Sequence, residues 1–193
     1  MPSHGMDRLI DARKARDDGY VGIMALTLEN GQGERYQREV VTFGHSACVL
    51  PYDPDRKVAM VIRLTRAPLV LAGVTEPLVE VPAGMIDAGE SPAQAAIREA
   101  MEEVGIALAS VESVAVTWPS PGVVGEQSHM FLAPYGVADR HGAGGGLAQE
   151  HEGIVCEEVA LGDLWRMVEA GELRDMKTLA LVLSLRVRRP ELF

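Results

Sequence analysis

The stretch 84–106, GMIDAGESPAQAAIREAMEEVGI, constrains this chain more than any other, because it joins a glycine-bounded loop, a marked helix start and a dense group of carboxylates. Ser91 is a natural N-cap, Pro92 suits the first helical position, where its missing N–H costs nothing, and Gln94 completes a Ser-x-x-Gln capping box. A helix is therefore expected to begin after Ser91. Alanine-rich, helix-favouring residues carry it to Gly105, which can take the left-handed conformation that closes a helix. Glu99 and Glu103 fall one turn apart on one face with Glu102 beside them, and Ile97, Ala100, Met101 and Val104 are expected round the other side. The reading is a helix with one apolar face and one acidic face.

Carboxylates at that spacing repel one another, so an acidic group beside a buried face is best accounted for by a cation held between them. Oxygen-only donors favour a hard ion, Mg2+ or Mn2+, over zinc, for which the sequence offers no Cys or His grouping. A solvated, glutamate-rich helix face is the plain alternative, since charge runs usually lie at the surface.

The spacing weighs against that alternative. Gly84, five residues, Glu90, seven residues, Arg98-Glu99, then Glu102-Glu103, one residue, Gly105 and Ile106 together resemble the Nudix box. Ala100 stands where that family usually has a larger aliphatic residue. Other landmarks are similar to the ADP-ribose and nucleotide-sugar pyrophosphatase branch: REVVTFGHSACVLPYDPDRK from Arg38, Leu-Thr-Arg at 64–66, EVPAG at 80–84, SPG at 120–122 and AGELRDMKT at 170–178. Pro121, fifteen residues beyond the box, resembles the mark of ADP-ribose members, while Glu126 and His129 look like the GDP-mannose type.

The resemblance implies roles. The metal is expected on Glu99, Glu102, Glu103 and the backbone carbonyl of Ala83, with Gly84 and Gly105 structural and Arg98 paired to Glu90. A general base is expected in the loop before the last strand, at Glu150 or Glu152, with Glu102 also counted near the chemistry. Arg66, Glu80, Pro121 and Glu126 are the expected substrate contacts, a buried structural hydrogen bond being the other reading of Glu80. The implied reaction is metal-dependent hydrolysis of the pyrophosphate of ADP-ribose or a related nucleoside diphosphate sugar, giving a nucleoside monophosphate and a sugar phosphate. A GDP-mannose-preferring enzyme, a Nudix hydrolase of FAD, coenzyme A or nucleoside triphosphates, and a non-catalytic nucleotide-sugar sensor are the alternatives.

The rest of the chain fits an α/β protein. The expected fold is a Nudix-type α/β/α sandwich with a mixed sheet and an N-terminal antiparallel β appendage. Residues 1–44 are expected to be a helix/strand appendage, resembling the sheet through which ADP-ribose members form homodimers, and residues 45–193 the hydrolase domain. Strands are expected on both sides of the turn at 29–33 and near 47–50, 58–64, 78–81, 109–116, 129–133 and 154–160. Two helical patterns follow, LWRMVEAGEL from Leu164 and DMKTLALVLSLRVRR from Asp175. The glycines at 142–146 read as a mobile loop, for they lack the lysine and spacing of a phosphate cradle.

A formal net charge of -10 argues against nonspecific binding to nucleic acid or an anionic membrane. The N-terminus lacks the apolar segment of a signal peptide, and Cys48 and Cys156 stand singly, as reduced core residues do. Cytoplasm is the expected location.

Overall fold

The computed structural model describes residues 8–16, 21–146 and 153–193. They form two compact units: the described residues up to His45 together with Trp118–Gln127, and Ser46–Thr117 with Ser128–Phe193.

In the first unit, β1 (Arg8–Arg16), β2 (Gly22–Glu29) and β3 (Arg35–Thr42) form an antiparallel sheet in that order. The turn between β2 and β3 is built on Asn30, whose side-chain oxygen accepts from the backbone N–H of Gln32 at 2.9 Å and of Glu34 at 3.0 Å, while Gly33 takes φ 84°. Within the expected helix/strand appendage, residues 8–16 are strand. The unit is not one contiguous stretch. Val41 N–H donates to Val123 O at 2.8 Å and Gly125 N–H to Val41 O at 2.9 Å, which lays the segment after the Ser-Pro-Gly turn along β3.

In the second unit, a proline decides how the central sheet is built. β4 (Ser46–Asp53) and β5 (Val58–Leu64) pair directly only at Tyr52–Ala59 and Asp53–Val58. Where β4 and β5 part, a short strand joins each on that side: β6 (Leu78–Glu80) on β5 and β7 (Ala83–Met85) on β4. Pro82 lies between β6 and β7, donates no hydrogen bond, and lets the chain change partner there. Its carbonyl still accepts from Val49 N–H at 3.0 Å. β8 (Glu112–Thr117), β9 (Ser128–Pro134) and β10 (Val155–Ala160) complete a seven-stranded mixed sheet with the path β10-β5-β4-β9-β8. Among the described strands of this sheet, only β4 and β9 run parallel to each other.

Helices cover both faces. A five-residue helix, α1 (Ala67–Leu71), follows Arg66, and α2 (Pro92–Val104) crosses one face of the sheet. Ala95, Ala96 and Ala100, all fully buried, share a core with Val49, Met60, Ile62 and Ile106. Ala100, small where a larger aliphatic residue was the family expectation, sits in that core. On the opposite face α3 (Leu161–Glu169) and α4 (Met176–Arg188) bury Leu161, Leu164, Leu181, Val182 and Leu185 against Leu50, Val61 and Leu132. Alternate residues of β4 face the two cores, Cys48 and Leu50 one and Ala47 and Val49 the other, as the two-residue period of a strand requires. The architecture is the expected α/β/α sandwich with an antiparallel appendage. Among the described residues no helix is long and apolar enough to cross a membrane.

Candidate active site

The start of α2 follows the sequence closely. Ser91 Oγ accepts from Gln94 N–H at 3.3 Å, Gln94 Oε1 accepts from Ser91 N–H at 2.9 Å, and Gly105 closes the helix at φ 68°.

The expected division into an apolar and an acidic face needs correction. Glu99 and Glu103 are 8% and 4% exposed, and with Ala96 and Ala100 they make one buried stripe, whereas Met101 is 39% exposed. These residues lie at positions i, i+3, i+4 and i+7, the spacing of a helix face turned to the protein. The acid residues lie inward because β7 offers them backbone. Glu103 Oε2 accepts from Ala83 N–H at 2.9 Å. Gly84 makes room for Glu99: a Cβ placed on Gly84 would lie 1.8 Å from Glu99 Oε1. Glycine is required here by close approach, not by an unusual backbone angle.

Arg98 ties the loop before the helix to the carboxylates. Its Nε and Nη2 donate to the two oxygens of Glu90 at 3.0 Å each, and Nη2 also donates to Met85 O at 2.9 Å. Its Nη1 reaches Glu99 Oε1 at 2.6 Å and Glu102 Oε2 at 3.1 Å. The hydrogen bonds from Arg98 hold the Glu90 carboxyl below its ordinary pKa, and Glu90 in turn pushes the guanidinium up. The expected Glu90–Arg98 pair is thus a two-point fork within a larger set of contacts.

Oxygen donors on a buried helix face, one of them filling the space above a glycine, suit a hard divalent ion. Glu99 and Glu103 supply that face. Glu102 is held by Arg98, and among the described residues no three His, Cys, Asp or Glu side chains converge as a ready metal cage.

The end of α2 carries an arrangement that the sequence reading missed. Gly145 N–H donates to Glu103 O at 2.8 Å, Gly146 N–H to Glu102 O at 3.1 Å, and Cys156 Sγ to Glu103 O at 2.8 Å. A Cβ on Gly144 would lie 2.3 Å from Glu103 O and 2.7 Å from Cys156 Sγ. The stretch 142–146 is therefore packed on the terminal carbonyls of the helix, not the mobile loop expected. The signal was the glycine run itself, read for freedom when it serves close packing.

A second cluster gathers around Glu80. This carboxylate, 2% exposed, receives Arg66 Nε at 3.0 Å and Arg66 Nη2 at 3.1 Å, with Lys177 Nζ at 3.4 Å. Glu80 here takes its alternative role, a buried counter-ion, and Arg66 is the more exposed partner. Lys177 also donates to Asp175 Oδ1 at 2.7 Å. Burial draws the Lys177 pKa down, but the Asp175 and Glu80 carboxylates outweigh it and leave it raised.

Pro121 and Glu126 lie in the first unit, on the segment beside β3. Glu150 and Glu152 lie outside the described residues.

Comparison with known proteins adds three observations. The NUDIX domain model matches residues 42–179. The GDP-mannose pyrophosphatases of Citrobacter koseri and of Escherichia coli O1:K1 / APEC are 36% and 35% identical over 158 residues, 81% of each chain, and that of Enterobacter sp. (strain 638) is 34% identical over 163 residues, 84% of each chain. The crystal structure of an ADP compounds hydrolase matches with a TM-score of 0.79 over 99% of this chain and 98% of that one, at 17% identity, a likeness of fold.

Proposed function

The chain belongs to the Nudix family, and on that premise we propose that it hydrolyses the pyrophosphate bond of a nucleoside diphosphate sugar, with GDP-mannose as the preferred substrate. The products are a nucleoside monophosphate and a sugar phosphate. One observation carries the reading: Glu99 and Glu103 are buried side by side on α2, against a strand whose glycine leaves room for a carboxylate. GDP-mannose is placed ahead of ADP-ribose because the relatives that share about a third of their residues over four-fifths of the chain are GDP-mannose pyrophosphatases. Pro121 keeps ADP-ribose as the second substrate to test.

Glu99, Glu102, Glu103 and the Ala83 carbonyl are the proposed holders of Mg2+ or Mn2+. When bound, such an ion neutralises the pyrophosphate charge and lowers the pKa of an attacking water. The chain's own residues position the groups around it. Ala83 N–H orients Glu103, and Arg98 orients Glu99 and Glu102 while holding the 85–90 loop through Met85 O and Glu90. Glu150 or Glu152 is assigned to take the proton of the water. Arg66 is assigned to the anionic substrate, with Glu80 behind it, and Pro121 and Glu126 to selectivity. The enzyme is proposed to act in the cytoplasm, where the thiols of Cys48 and Cys156 stay reduced, as a homodimer through its N-terminal strands.

The test is a panel of nucleotide sugars with Mg2+ or Mn2+, scored as phosphate that becomes accessible to a phosphatase. GDP-mannose is expected to give GMP and mannose 1-phosphate fastest. Binding of the panel without release of any nucleoside monophosphate would overturn the proposal. Light scattering behind size exclusion reads the oligomer, and a monomer at micromolar concentration removes the dimer.

A further inference from the structure

Glu126 stands between two anchored amides. Val123 and Val124 N–H donate to Ser120 O at 3.1 and 2.9 Å and close the Ser-Pro-Gly turn. The segment then lies along β3 as far as Gly125, whose N–H donates to Val41 O at 2.9 Å. Two residues on, Gln127 N–H donates to His45 Nδ1 at 3.0 Å. From Ser128 the chain is β9, in register with Ser46 of β4, and the two buried serine hydroxyls lie 2.7 Å apart. Glu126 is half-buried on the connection between these anchors.

The two anchors differ in kind. Before Glu126 the acceptor is a strand carbonyl, and after it the acceptor is an imidazole. A backbone N–H can only donate, so Nδ1 is the bare nitrogen of that ring and the ring proton sits on Nε2. His45 is exposed, so its ring adds little apolar burial; what it supplies is the acceptor. Peptide units are planar, so the Gln127 N–H and the Glu126 carbonyl move as one plane. His45 therefore holds the plane that leaves Glu126, and Val41 the plane that enters Gly125.

We propose that His45 is a positioning residue for Glu126: its Nδ1 holds the Gln127 amide, and with it the direction in which the Glu126 carboxylate meets the substrate. This rests on the assignment of Glu126 to selectivity. His45 itself does not touch substrate in this assignment, so its effect reaches the ligand only through Glu126. What the position requires is an acceptor on the δ atom, which the side-chain oxygen of asparagine also supplies, and not an imidazole as such.

The test is steady-state kinetics with GDP-mannose and with ADP-ribose on the full chain as wild type, His45→Ala, His45→Asn, Glu126→Gln and the His45→Ala/Glu126→Gln double variant, each with its Mn2+ affinity and thermal midpoint. Glu126→Gln is expected to raise KM for GDP-mannose about tenfold or more, the scale of a lost charged hydrogen bond, and to narrow the preference over ADP-ribose. His45→Ala is expected to raise the same KM several-fold with kcat within about twofold and Mn2+ affinity unchanged, His45→Asn to recover most of the loss, and the double variant to match Glu126→Gln alone. An unchanged KM in folded His45→Ala overturns the proposal, as does a loss that His45→Asn does not recover or one that multiplies in full with Glu126→Gln. If His45→Ala does not fold, the imidazole tautomer of the wild type decides by 15N NMR: Nε2–H with a slowly exchanging Gln127 amide is expected, and Nδ1–H overturns the proposal. An unchanged KM in Glu126→Gln would instead remove Glu126 as a substrate contact, and the proposal with it, while the hydrolase reading stands.

Discussion

The carboxylate of Glu99 occupies the place that a side chain on Gly84 would take, with Glu99 Oε1 1.8 Å from where that Cβ would stand. Helix and strand therefore meet at van der Waals distance only because residue 84 has no side chain. Gly84→Ala is expected to push Glu99 off β7 and lower divalent-ion affinity at least about tenfold, the effect of disturbing the groups that orient a ligand. Titration of Mn2+ followed by calorimetry or water-proton relaxation reads this without any turnover.

Glu103 separates charge from shape. Glutamine can still accept from Ala83 N–H through its amide oxygen, so Glu103→Gln is expected to keep its thermal midpoint within a few degrees. Turnover is expected to fall by two orders of magnitude or more, roughly 3 kcal/mol of transition-state stabilisation. Unchanged turnover would remove Glu103 from the metal site.

The Glu90–Arg98 fork predicts a pH dependence of definite sign. Because Arg98 holds the folded Glu90 pKa below its ordinary 4.5, the pair stabilises the fold above that pH. The stabilisation is lost as pH falls through the lowered pKa. Glu90→Gln is thus expected to melt lower than wild type at pH 7, with the gap closing as pH drops below 4.5 towards the folded pKa. A gap that stays constant or widens on acidification would exclude the fork as its source.

Two glycines form a matched pair. Gly144 takes φ 69° and a Cβ there would meet Glu103 O at 2.3 Å, so Gly144→Ala is expected to cost about 2–4 kcal/mol in chemical denaturation. Gly162, in the first turn of α3, has open space about its Cα, and Gly162→Ala is expected to stabilise by about 0.5 kcal/mol.

What the sequence made legible was local. The Ser91–Gln94 capping box, the left-handed Gly105 and the Asn30 turn each depend on residues within a few positions, and all stand where the pattern put them. The inward turn of Glu99 and Glu103 was hidden because helical periodicity assigns charge to solvent unless a facing backbone is known, and β7 has only three residues. The charged strand β1 lacks the apolar alternation that marks a strand. Lys177 reaches Glu80 across 97 positions, a distance no local pattern spans.

The glycine packing at the end of α2 has a consequence for how substrate range can change. Gly146 is bonded to Glu102 O, a Cβ on it would lie 2.9 Å from Ile154 Cδ1, and Cys156 returns to Glu103 O. Residues 146 and 154 are thus held beside each other at the end of α2. Closing a longer loop between such fixed ends costs only about 0.6 kcal/mol per doubling of its length. Changes of length between residues 146 and 154 are therefore expected to leave the helix that carries Glu99 and Glu103 in place, so that the assigned base can be re-sited while the metal-facing helix stays constant.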